Sequence, residues 1–203
     1  MNQIDLQISN FNKLYESGEY SAAHKILLSI KSKYELHPKF IKFVKSKTDY
    51  IPPDSFVVRV RFEIQNFRHN AVINACGSLL QKHPYSTWLL TTIGLAFTKI
   101  EKFNEAEIAF SRILELNPNS EEGQRGMGDV LFNKRDTFQA IAWFEKALKS
   151  HGRKFDILVD LAASLFASNL NHKSMIIIEE ALSKNPDDKN ARLINKPTAE
   201  NDQ

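Results

Sequence analysis

The sequence predicts an all-α solenoid of about five stacked helical hairpins, and two observations carry this prediction. The first is a period of 34 residues. It separates Gly94, Gly128 and Ala162, and three further sets of similar residues recur at the same spacing. The second is the recurrence of apolar residues at intervals of three and four within each period, as on one face of an α-helix. Fixed periods of this length are typical of stacked helical arrays.

The clearest repeat, residues 87–120, contains two apolar stripes separated by a polar break. The first stripe includes Leu90 and Ile93, and the second begins at Ala106. Pro118 ends the second stripe, because a residue that precedes proline is pushed out of the helical region. Each repeat is therefore predicted to be a hairpin of two short antiparallel helices.

The same register predicts one array over residues 1–195. Its repeats are expected at 3–35, 53–86, 87–120, 121–154 and 155–188. An inserted helix at about 38–47 would account for the extra length between the first two repeats. The polar residues 196–203 are predicted to form a disordered tail, since they offer little apolar surface to bury.

Residues 56–64 allow two interpretations. Their alternation of valine, arginine and aromatic residues is typical of a β-strand. They also place Phe56, Val60 and Ile64 at helical spacing, directly after Pro53. We favour the helix, because a lone strand would have no partner in an all-helical stack.

These features resemble the tetratricopeptide repeat, in which a first helix with Leu-Gly is followed by a second helix with alanine, an aromatic residue and a closing proline. The matching residues of the best repeat are Ile93, Gly94, Phe97, Phe103, Ala106, Phe110 and Pro118. The resemblance covers residues 87–188 and weakens upstream. It implies a right-handed superhelix in which the first helix of each hairpin lines a concave groove.

The resemblance also implies a scaffold that binds a protein or a peptide in this groove. The candidate groove residues are Trp88, Thr91, Leu95, Lys99, Arg125, Asp129, Phe132, Asn133, Val159 and Phe166. Any of them could instead pack against a neighbouring helix. Some family members grip a C-terminal carboxylate with a lysine, but Ile8 stands at that position here, so an extended or hydrophobic peptide is favoured.

Composition excludes several classes of function. The net charge of +3 does not indicate a nucleic-acid-binding protein. No stretch approaches the roughly 20 apolar residues of a membrane span, and no apolar run of signal-peptide length begins the chain, so a cytoplasmic protein is expected. The six histidines and one cysteine show no metal-ligand spacing, and no hydrolase motif occurs, so neither a metal, a cofactor nor catalysis is expected.

The sharpest charge feature is a run of six lysines, Lys31, Lys33, Lys39, Lys42, Lys45 and Lys47. These lysines could bind phosphates, an acidic partner or an anionic membrane surface. We favour the solvated face of the inserted helix, because Phe40, Ile41 and Phe43 would form its buried side.

The C-terminal edge of the array is predicted to expose apolar side chains. The helix before Pro186 carries the apolar residues Met175, Ile176 and Leu182. Only a short segment after Pro186 could cover them. This edge is therefore a possible interface with a second copy, a partner or a further domain. As an alternative function, the chain would be the N-terminal repeat region of a larger enzyme, resembling sulfotransferases or glycosyltransferases that carry such arrays.

Overall fold

The computed structural model describes residues 2–195, and this part of the chain is helical without any strand, which confirms the all-α class. Residues 54–65 form a helix, as favoured above, whereas the predicted tail at 196–203 lies outside the described residues. The described helices are α1 Gln3–Glu16, α2 Tyr20–Tyr34, α3 Pro38–Thr48, α4 Asp54–Gln65, α5 His69–Leu80, α6 Thr87–Lys99, α7 Phe103–Leu116, α8 Glu121–Asn133, α9 Thr137–His151, α10 Phe155–Ala167, α11 Asn171–Lys184 and α12 Lys189–Ile194.

The turns inside the hairpins share one backbone geometry. Positive φ angles of 56–68° occur at Phe67, Glu101, Arg135 and Asn169, at intervals of 34 residues, and Gly18 adopts 82° in the turn of α1 and α2. In each turn the next amide donates to the carbonyl five residues earlier, at 2.8–2.9 Å. This is the Schellman motif, which pairs carbonyls that a helix end leaves unsatisfied. The α4–α5 turn therefore has the same geometry as the turns of the later hairpins.

The chain divides into two compact units, Met1–Ala96 and Phe97–Gln203. In the first unit α3 packs against α1, where the rings of Phe43 and Phe11 meet edge to face at 5.0 Å. The ammonium group of Lys47 lies 4.6 Å from the ring centre of Tyr15, and Lys39 pairs with Asp5 at 2.7 Å. Lys31 also pairs with Glu35 at 3.8 Å, so three lysines of the predicted run have partners within the unit.

The buried side of α3 is narrower than expected. Phe40 and Phe43 are buried, but Ile41 is exposed. On α5 of the same unit, Cys76 is fully buried, and this burial raises the pKa of its thiol to about 12.

In the second unit, glycines allow consecutive helices to approach closely around aromatic rings. Phe110 and Phe144 are fully buried, and Gly128 lies against the ring of Phe144. Gly126, for which no packing role was predicted, lies against the ring of Phe110, so a Cβ atom there would come within 2.1 Å of that ring. The glycine pair of α8 therefore fits between the rings of α7 and α9.

The end of the second unit is only partly covered by α12. Ile178 and Ala191 are fully buried in the core of this unit. Met175 and Ile176 remain exposed on α11, while Leu182 is partly buried and packs against the core. Two of the three residues predicted at this edge are thus accessible in the chain.

Candidate functional site

An ion pair joins α8 and α10 in the second unit, on the face predicted to bind a partner. The Arg125 guanidinium donates from Nη2 to Asp160 Oδ2 at 2.7 Å and from Nε to the same oxygen at 3.2 Å. Both side chains are partly buried. Because charge-assisted bonds to a single carboxylate fix the guanidinium, Arg125 is held in place rather than projecting freely.

Asp129 lies one helical turn beyond Arg125 and belongs to the same charge cluster. Burial raises the pKa of its carboxyl to about 7, and the neighbouring Asp160 carboxylate adds to this shift. Arg125 and Lys99 act in the opposite direction, since nearby positive charges favour the ionised form. Burial likewise raises the pKa of Asp160. The face therefore contains two aspartates, Asp129 and Asp160, whose pKa values lie above that of an exposed aspartate.

We expect the raised pKa of Asp129 to make stability depend on pH. Between about pH 4 and pH 7 the folded protein retains a proton that the unfolded chain releases, so stability falls as the pH rises through this window. Asp129→Asn removes the titration, so its Tm relative to the unsubstituted protein should rise by at least about 4 °C between pH 4 and pH 8. Thermal unfolding followed by circular dichroism measures this difference.

Asp136→Asn is a suitable control for that experiment, because Asp136 caps α9 outside the charge cluster. Its effect on Tm should stay nearly constant over the same pH range. A constant effect of Asp129→Asn as well would show that Asp129 is ionised normally in the folded protein.

A pocket of about 290 Å³ opens at the C-terminal end of α8. Its apolar walls are the rings of Phe103 and Phe132, and its polar lining includes Lys99, Asn133 and Arg135. This volume is at the lower limit of pockets that hold small ligands, so it suits one or two side chains of a bound segment. The pocket brings together three of the predicted groove residues, Lys99, Phe132 and Asn133.

The remaining predicted residues of the second unit lie along α10. Phe166 is 40% exposed, and Val159 is partly buried against the core. On α8, the Asn133 side chain donates to the Asp129 carbonyl at 2.7 Å. The face thus offers an accessible aromatic ring on α10 and, on α8, an amide that is already hydrogen-bonded within its own helix.

In the first unit, the predicted residues of α6 are more engaged with their neighbours. Trp88 meets Phe56 edge to face, with 6.3 Å between the ring centres. The Thr91 hydroxyl oxygen is buried and has no hydrogen-bond partner among the described residues. Leu95 is exposed. Trp88 therefore packs against the neighbouring helix α4, which was the stated alternative to a position in the groove.

Sequence reasoning missed Asp160, Phe103 and Arg135. Asp160 stands 34 residues after Gly126, at a packing position of the repeat rather than a predicted groove position, and this position gave no signal for its ion pair with Arg125 of α8. Arg135 occupies the positive-φ position of its turn, and only the backbone geometry brings it to the pocket.

Residues 2–195 contain neither a cluster of metal-ligating side chains nor a helix suited to a membrane. No three His, Cys, Asp or Glu side chains lie close enough together to hold a metal ion. Among the same residues, no helix combines the length and the apolar character that crossing a membrane requires.

Comparisons with known proteins identify the repeat. Residues 89–120 match the family model of the tetratricopeptide repeat. Tetratricopeptide repeat protein 21B of Mus musculus is 30% identical over 94 residues, which make up 46% of this chain. The match spans only 7% of the length of that mouse protein.

Solved structures of tetratricopeptide repeat proteins share the fold at low sequence identity. A protein from Parabacteroides merdae has a TM-score of 0.63 and 16% identity, covering 94% of this chain and 83% of that one. YrrB, described as a tetratricopeptide repeat protein with an unusual peptide-binding site, has a TM-score of 0.55 and 16% identity, covering 92% of this chain and 89% of that one. The resemblance stated from the sequence is confirmed.

Proposed function

We propose that this tetratricopeptide repeat chain is a non-catalytic scaffold that binds a peptide or protein segment on its second unit, along α8 and α10. The pocket between Phe103 and Phe132 is the observation that carries the proposal. A segment lying along this face would insert a side chain there and cover the exposed ring of Phe166. The peptide-binding site of YrrB supports the same kind of partner.

The polar groups of the face favour an extended segment with both apolar and polar side chains. Lys99 and Arg135 at the pocket could pair with an acidic side chain next to the apolar anchor. Arg125 is already paired with Asp160, so we assign it the role of keeping α8 and α10 in register. Binding energy should therefore concentrate on Phe132 and Phe166, since buried aromatic anchors usually dominate such interfaces.

Trp88, Thr91 and Leu95 belong to the candidate groove of the first unit, and we propose them as a separate contact surface. Leu95 is its most accessible apolar residue. The buried Thr91 hydroxyl, which lacks a partner among the described residues, could pair with a backbone group of a bound segment.

Site-specific photo-crosslinking tests the proposal. A benzophenone amino acid is introduced at Phe166, at Phe132 or, as a control, at Phe138, which is 70% exposed on α9. We expect crosslinks from native lysate at 166 and 132 to map to one segment of one partner. Crosslinks that are equally abundant at 138 would overturn the site.

Once that partner is identified, Phe132→Ala and Phe166→Ala should each weaken its binding at least about tenfold, because each removes an apolar anchor. Fluorescence anisotropy with the mapped segment measures the Kd. Phe138→Ala serves as the matched control and should bind normally. Normal binding by both groove variants would exclude this face as the site, provided that their helicity is unchanged.

The exposed residues Met175 and Ile176 favour a second candidate, in which the C-terminal edge contacts another molecule. We propose this edge, together with the adjoining Leu182, as an interface with a second copy or a partner. Exposed apolar patches often mark such contacts. Light scattering at micromolar concentration distinguishes self-association from a monomer.

A further inference from the structure

A second apolar surface lies in the first unit, on the outer face of α4. Val58 is 63% exposed and Phe62 is 53% exposed, one helical turn apart on the same face. Beside this strip, a groove of about 530 Å³ runs between α4 and α5, with Phe56 and Arg59 on one wall and Ala71 and Ala75 on the other. We call the strip and the groove together the α4 surface.

The equivalent surface is covered by a helix in the second unit. Val58 and Phe62 stand two repeat lengths before Gly126 and Val130 of α8. Both of these α8 residues are buried, and the ring of Phe110 from the preceding helix α7 lies against Gly126. In this hairpin the position therefore receives the second helix of the preceding hairpin. On α4 the glycine is replaced by a large apolar residue that remains exposed.

The inserted helix α3 explains why the α4 surface is open. In a regular array α2 would lead directly into α4 and pack on it. Here α3 intervenes and packs on α1 through the contact between Phe43 and Phe11. No helix of the first unit thus takes the place on α4 that α7 takes on α8.

Three arginines lie at the α4 surface: the guanidinium carbon of Arg68, which pairs with Glu63, is 5.3 Å from the centre of the Phe62 ring, and Arg59 and Arg61 flank the strip. With 3.6 residues per turn, Arg59 lies on one side of the Val58–Phe62 strip and Arg61 on the other. Both are exposed, and neither forms an ion pair with any of the described residues. Residues 1–96 also carry 12 Lys and Arg against 7 Asp and Glu. A complementary partner would be apolar along one stripe and acidic on both sides of it.

We propose that the α4 surface binds an acidic amphipathic helix of a partner protein, in the place where a regular array has the second helix of the preceding hairpin. Apolar residues of this helix pack on Val58 and Phe62, and one of them enters the groove beside Ala75. Its flanking carboxylates pair with Arg59 and Arg61. The site belongs to the first unit and stands independently of the peptide site on α8 and α10.

A designed peptide pair tests the proposal. The probe is a fluorescein-labelled 18-residue helical peptide with leucines at i, i+4 and i+7 and glutamates beside them, and its match has lysines in place of the glutamates. Fluorescence anisotropy on the full chain should show the glutamate peptide binding at least tenfold more tightly. This preference should shrink at high salt, because exposed charges are then screened.

Phe62→Glu and Ala75→Leu should each weaken binding of the glutamate peptide at least tenfold, the first by repulsion and the second by filling the groove. Phe138→Glu, at an exposed ring of the second unit, should leave it unchanged, and circular dichroism verifies that all variants fold. Equal affinity for the two peptides, or full binding by Phe62→Glu, would overturn the proposal. So would a dimer in sedimentation equilibrium that Phe62→Glu dissociates, since a second copy would then occupy the surface.

Discussion

Replacing Phe110 by alanine should lower the free energy of unfolding by about 3–5 kcal/mol, the range found for a fully buried phenylalanine. Its ring fills the space between α7 and α8 and lies against the backbone of Gly126, so little can collapse into the cavity. Phe144→Ala should have a similar effect one repeat later. Urea denaturation with linear extrapolation measures both losses.

Ile108→Ala is the matched control, because Ile108 lies on the same helix as Phe110 but is exposed. This substitution should change stability by less than about 0.5 kcal/mol. A loss below about 1 kcal/mol for Phe110→Ala would mean that the ring is not buried between the hairpins. Since each repeat contacts only its neighbours, the variant could also unfold in more than one step.

Two glycine-to-alanine substitutions within helices should have opposite signs. Gly126→Ala should destabilise the protein by about 1–3 kcal/mol, because the added methyl group collides with the rigid ring of Phe110. Gly77→Ala in α5 should stabilise it by about 0.5–1 kcal/mol, since a Cβ there meets open space and alanine is the better helix former. Chemical denaturation of the two variants measures both changes.

A double mutant separates the steric effect from helix propensity. In the background of Phe110→Ala, Gly126→Ala should cost little or even stabilise, because the colliding ring is gone. Such coupling between contacting residues is what a double-mutant cycle detects. Additive losses would instead place the cause of the Gly126→Ala effect away from Phe110.

The hairpins were predictable because each is specified locally. Apolar periodicity marks the helices, and the polar turn and Pro118 mark where they end. At 56–64 the alternating pattern was ambiguous, and the absence of any partner strand favoured the helix that the structure contains. Such signals lie within one hairpin, so they can be recognised without knowing how the hairpins pack against one another.

The candidate sites depend on contacts between helices that spacing alone does not fix. Arg125 was predicted to face a partner, but its guanidinium turns to Asp160 on the next hairpin. Trp88 was predicted to line the groove, but its ring meets the ring of Phe56 on α4. Neither pairing follows from the repeat pattern, because the first depends on rotamers and the second involves α4, where the similarity to the other repeats is weakest.

The burial of Cys76 makes the chain convenient for thiol chemistry. Thiolate is the reactive species, and a buried thiol with a pKa of about 12 supplies almost none at neutral pH. A cysteine introduced on the surface can therefore be derivatised selectively without removing the native one. Conversely, Cys76 can be modified only when α5 opens locally, so the rate of its modification in dilute denaturant measures that opening. This rate would report the stability of the first unit separately from that of the second.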